Sequence, residues 1–125
     1  LRPGALGDVH AQIADAFRDQ PLVEASIRSA LGTTYGYLGE AELAIRQHQR
    51  ARELFEATLG PEHTQTLSSM NNVALAYKGA GQFDRALPLY EEALRLRKEK
   101  LGATFSRSMN HRCAHSQLVT RIPTA

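Results

Sequence analysis

The 125 residues include no tryptophan, a single cysteine, and no apolar run approaching the roughly 20 residues that cross a bilayer as a helix. The lone Cys113 excludes an intramolecular disulfide and fits a reducing compartment, so the cytoplasm is the expected location. No secretory leader is visible, and a chain that begins at Leu1 rather than Met reads as an excerpt or a processed form. Acidic residues are missing from one end: none follows Glu99. Residues 1–94 carry 8 basic and 12 acidic side chains, a balance of −4, and residues 95–125 carry 7 and 1, a balance of +6. A basic end attracts anions. No aromatic interleaving or base-reading motif accompanies it, so nucleic acid is not an expected partner.

Catalytic constellations are missing too. No Ser/His/Asp or Cys/His set is spaced for nucleophilic catalysis. Gly79-Ala80-Gly81 follows no strand and lacks the spacing of a phosphate-cradling loop, so it reads as a turn between helices. His111, Cys113 and His115 are three candidate metal ligands without a fourth, and on a helix Cys113 would point away from the two histidines. A solvated polar tail is the preferred reading there. The expectation is a chain without enzymatic chemistry, cofactor, metal, small-molecule substrate or membrane contact.

What is present is a repeat. In "NNVALAYKGAGQFDRALPLYEEAL", residues 71–94, small residues alternate with large apolar ones in a pattern already used upstream. At an offset of 42, Leu31 aligns with Val73, Tyr35 with Tyr77, Gly39 with Gly81, Ala44 with Ala86, Ile45 with Leu87 and Ala51 with Ala93. Leu54 then meets Leu96, and Leu59-Gly60 meets Leu101-Gly102, all without a gap. Each unit reads as two helices, because its apolar residues recur by threes and fours. Met70, Val73, Ala74 and Tyr77 form one stripe; Phe83, Ala86, Leu87, Tyr90, Ala93, Leu94, Arg97 and Leu101 form the next. Upstream, Ile27, Leu31, Tyr35 and Leu38 are expected to face inward, followed by Ala41, Ala44, Ile45, His48, Ala51, Leu54 and Phe55.

The punctuation agrees. Asp19 or Gln20 could cap a helix with Pro21 in its first turn, Gly39 and Gly81 supply left-handed helix ends, and Thr64 could cap the helix after "LGPEHT". Val9, Ile13, Ala16 and Phe17 suggest one more helix before these units. Pro88 strains the pattern, since a proline inside a helix removes a hydrogen bond and costs about 3 kcal/mol. The alanines sit where helices would cross, and their small size lets helix axes approach within about 8–10 Å. The fold class is therefore all-α, built of antiparallel helix hairpins that lean on one another because none buries its apolar face alone.

The stretch "LGPEHTQTLSSMNNVALAYKGAGQFDRALPLYEEALRLRKEKLG", Leu59 to Gly102, resembles the tetratricopeptide repeat in its 42-residue kinesin-light-chain form, including the Pro-His linker, the Asn-Asn pair and Pro88. "DQPLVEASIRSALGTTYGYLGE" is similar to the start of such arrays in bacterial proteins linked to serine/threonine kinases. The resemblance implies a right-handed superhelix, an α-solenoid, whose concave wall is lined by the first helix of each unit and binds a peptide or helix from a partner protein. It places Ser68, Asn71, Leu75 and Lys78 on that wall, with Asn72 beside them, and Ser26, Ser29, Thr33 and Gly36 upstream. Asn71 and Asn72 could serve a bound backbone, because an amide both donates and accepts; facing water or shaping the turn is the bland alternative.

The expected organisation is an incomplete closing helix over 1–19, repeat units over 20–61 and 62–102, and a degenerate or disordered tail over 103–125. In that tail "SMN" recurs at 108–110 but Arg112, Cys113, His115 and Ser116 replace an apolar face. Two units and a half sit at the lower limit for an array, so marginal folding, or self-association through an exposed face near Leu96 and Leu101, is expected. The functional expectation is a non-catalytic interaction module, with the regulatory arm of a larger bacterial signalling enzyme, such as a serine/threonine protein kinase, as the alternative.

Overall fold

The computed structural model describes the backbone of residues 3–120 and the side chains of residues 9–102. It contains five helices, α1 (Pro3–Ala16), α2 (Pro21–Tyr37), α3 (Ala41–Leu59), α4 (Thr64–Gly79) and α5 (Phe83–Thr120), and no strand among the described residues. Consecutive helices from α2 to α5 pack in chain order, and α2 also touches α4. Two hairpins, α2–α3 and α4–α5, thus stack with their first helices adjacent on one wall.

The turns explain the hairpins. Gly39 and Gly81 have φ of +80° and +77°, which a residue with a Cβ adopts only at a cost. At both, the amide three residues past the helix closes a six-to-one bond: Glu40 N–H donates to Tyr35 O and Gln82 N–H to Tyr77 O, each at 2.9 Å. The same device recurs 42 residues apart, as the aligned glycines require. Helix starts differ from expectation. Pro21 opens α2, but Gln20 makes no side-chain cap. α4 is capped by His63, whose Nδ1 accepts from Gln65 N–H at 3.1 Å, and Thr64 is already its first residue. Thr66, fully buried, ties the linker down by donating to Gly60 O at 2.7 Å.

Alanines make the crossings. Ala25, Ala44, Ala51, Ala74, Ala86 and Ala93 are all buried, while Ile45, Val73, Tyr77 and Ala86 form one core cluster and Ala25, Ala51 and Phe55 another. A methyl at a crossing keeps axes close; a larger side chain would overpack and push the hairpins apart. Gln49 donates to the Tyr77 hydroxyl, and Arg85 lies 6.0 Å from the centre of the Tyr77 ring.

Two expectations need correcting. Leu38 does not face inward: it sits past the end of α2 and is 69% exposed. The second stripe of the second unit is only half buried. Ala86 and Ala93 are covered, but Phe83, Leu87, Leu94 and Leu101 are open. Beyond the second unit, α5 continues past Gly102 as helix to Thr120. In the first unit Gly60 adopts φ +93° and is followed by Pro61, which disfavours helix in the residue before it. After Gly102 stands Ala103, so nothing stops the helix. Pro88 lies inside α5 on its exposed side, where solvent can satisfy the carbonyl it leaves without a donor. The His111, Cys113 and His115 side chains lie outside the described residues, as do 121–125.

Candidate functional site

Two adjoining clefts lie along the wall formed by α2 and α4. The larger, about 480 Å³, runs between Gly32, Thr33 and Gly36 of α2 and Asn72, Leu75 and Lys78 of α4. Phe83 stands at its edge, as does Tyr37, which is almost fully exposed. The smaller, about 290 Å³, is bordered by Ser26, Ser29, Ser68 and Ser69, with Phe55, Gln65 and Asn72; Ser26 and Ser69 donate their hydroxyl protons to Leu22 O and Thr66 O. Asn72 belongs to both.

The room comes from glycine. A Cβ at Gly36 would meet nothing within 4 Å, whereas one at Gly32 would fall 2.6 Å from Nε2 of His48. In the second unit the aligned positions are Ala74 and Lys78, so the first unit is cut away where the second is filled. His48 of α3 reaches across beneath α2 to floor the larger cleft. Its ring is buried, and its Nδ1 has no hydrogen-bond partner among the described residues. Burial pushes its pKa below the ordinary 6.5, so the floor is neutral at pH 7. Lys78 supplies the charge of the cleft, and Thr33 spends its hydroxyl proton on Ser29 O at 3.0 Å.

The residues expected on the wall divide. Ser68, Asn72, Leu75, Lys78, Ser29 and Thr33 all border the clefts, as do Ser26 and Gly36. Asn71 does not. With its amide oxygen turned toward α5, it accepts from Arg97 Nη1 at 3.1 Å and Nη2 at 3.0 Å. One residue along a helix is a turn of about 100°, so of two adjacent asparagines one meets the neighbouring helix and the other meets the groove.

A buried polar cluster lies apart from the groove, where α1 meets α2 and α3. Arg28 has no exposed surface and Glu24 has 4%. Arg28 Nε donates to Glu24 Oε1 at 2.8 Å, and its Nη1 donates to Gln47 Oε1 at 2.9 Å and to His10 Nδ1 at 2.7 Å. Its Nη2 reaches His10 O at 3.2 Å. An arginine only donates, so His10 Nδ1 must be an acceptor, and Gln47 Nε2 lies 3.1 Å from the same atom. Burial first, then the charges of Arg28, Arg46 and Arg50, push His10 below the ordinary 6.5, with the Gln47 hydrogen bond opposing them. The four-residue spacing of Glu24 and Arg28 was the sequence signal for this pair; nothing local marked Gln47 or His10 as its partners.

Stacked helix hairpins with a grooved first-helix wall define a helical-repeat solenoid. The tetratricopeptide repeat family model matches residues 23–99, and the chain belongs to that family. It is 35% identical over 65 residues to Protein KINESIN LIGHT CHAIN-RELATED 3 of Arabidopsis thaliana, an alignment covering 52% of this chain. The chain spans about a tenth of that relative's length. Repeats of this family are in general protein-interaction modules, typically non-catalytic, and no helix among the described residues is long and apolar enough to cross a membrane.

Proposed function

We propose that this chain is a non-catalytic module that holds a peptide or helical segment of a partner protein along the groove between α2 and α4. The observation that carries this reading is the pair of adjoining clefts sharing Asn72. The smaller is bordered by serines and amides suited to a peptide backbone. The larger, with Leu75, Phe83 and its glycines, suits an apolar side chain, and Lys78 at its border suits a carboxylate beside that side chain. The proposed setting is the cytoplasm. The regulatory-arm reading assigns these residues the same groove and differs only in the parent chain; kinase motifs in the upstream reading frame would favour it.

A random peptide library displayed on phage and selected against the 125-residue chain tests the groove. Selected peptides are expected to pair an apolar residue with an acidic one, and to lose at least about tenfold in affinity for an Asn72→Ala, Lys78→Ala variant of unchanged helicity. Peptides that bind the variant as well as the parent would show that the groove is not the binding surface.

A further inference from the structure

The face of α5 left open by the second unit carries its own recognition pattern. In the first unit, Ile45 is buried under Val73 and Tyr77, and Leu59 packs against the Ala25–Ala51–Phe55 cluster. Their counterparts Leu87 and Leu101 are 59% and 70% exposed, with Leu94 between them at 54% and Phe83 at 62%. Leu87, Leu94 and Leu101 are spaced by seven, which keeps them in one line along a helix. Beside that line, again seven apart and on one edge, stand Glu91 and Lys98. Neither has an ion-pair partner among the described residues.

This pattern complements itself when reversed. We propose that α5 pairs antiparallel with α5 of a second copy, about a two-fold axis near Leu94. In that arrangement Leu94 meets its own counterpart and Leu87 faces Leu101 of the second copy, at both ends. The same edge of each helix then lies against the same edge of the other, so Glu91 faces Lys98 of the second copy, twice. A parallel pair would set this edge against the opposite edge of the second helix, bringing Glu91 and Lys98 toward Ala86 and Ala93 and gaining nothing from the charges. The first helix of a further repeat would also cover the leucines, but it gives Glu91 and Lys98 no reason to be complementary to each other. Leu87, Leu94 and Leu101 border neither cleft, so pairing along their line leaves the α2–α4 groove free.

Sedimentation velocity of the 125-residue chain across the micromolar range tests this. A concentration-dependent monomer–dimer equilibrium is expected. Glu91→Lys alone and Lys98→Glu alone each convert two attractions into two repulsions and should weaken the dimer by about tenfold. The two changes together restore opposite charges across the axis and should recover it. Leu94→Cys, in a Cys113→Ser background, should oxidise readily to a covalent dimer because position 94 meets itself. All these side chains are exposed, so circular dichroism should be unchanged. A chain that stays monomeric throughout the range would overturn the proposal. So would a dimer indifferent to the single charge reversals, or one that position 94 fails to cross-link.

Discussion

Gly32 and Gly36 lie one turn apart on the same helix, and the same substitution should have opposite effects at the two. Alanine in place of a helical glycine removes backbone freedom from the unfolded chain and gains roughly 0.5–1 kcal/mol. At Gly36 nothing lies within 4 Å of the new methyl, so that gain should appear undiminished. At Gly32 the methyl would sit 2.6 Å from His48 Nε2 and 2.7 Å from Cδ2 and Cε1, about 0.8 Å inside the 3.4 Å where ordinary contact begins. His48 is only 5% exposed, on a helix whose Ala44 and Ala51 are pressed into crossings, so the ring has to leave its seat. Overpacking of this kind costs about 1–3 kcal/mol. The net expectation is a loss of about 0.5–2 kcal/mol for Gly32→Ala, a fall of several degrees in Tm for a domain of this size. In a His48→Ala background, which is itself less stable, the conflict is gone and Gly32→Ala should become stabilising. Urea denaturation followed by circular dichroism compares the parent chain with all four variants. If Gly32→Ala and Gly36→Ala stabilise alike, the close seating of His48 beneath α2 is wrong, and with it the shape assigned to the larger cleft.

Two further outcomes follow from the buried polar cluster and the histidines. Arg28→Met leaves Glu24 buried with only Arg50 Nε, 4.0 Å away, as a counter-charge, and should cost about 3–5 kcal/mol in urea denaturation. Arg28→Met with Glu24→Leu should recover most of that, and a single-variant cost under about 1 kcal/mol would contradict the burial of the pair. His10 and His48 both have pKa values depressed by folding, so the unfolded chain takes up protons that the native chain refuses. Their contribution is complete above pH 6.5 and is lost as pH falls below it. The urea midpoint should drop between pH 7.5 and 5.5, and less steeply in a His48→Gln variant; a flat profile would refute the assignment.

Residue chemistry along the chain was enough to specify the hairpins. A 42-residue repetition, glycines at the helix ends and apolar stripes of three- and four-residue spacing that include the alanines are local signals, and they act through backbone sterics and side-chain volume that hardly depend on distant partners. The family resemblance, rather than local chemistry, named the wall positions Ser29, Thr33, Ser68, Leu75 and Lys78, which border the clefts. It could not choose between Asn71 and Asn72, because that choice depends on Arg97, which approaches from α5, 26 residues away in the chain. Burial of Leu87, Leu94 and Leu101 was likewise beyond it. Apolarity says that a side chain prefers to leave water, and only the stacking of a following helix decides whether it does. His10, Arg28 and Gln47 make the same point from the polar side. Each looks like an ordinary surface residue in sequence, and the folded chain brings them together because the strength of a hydrogen bond depends on distance in space.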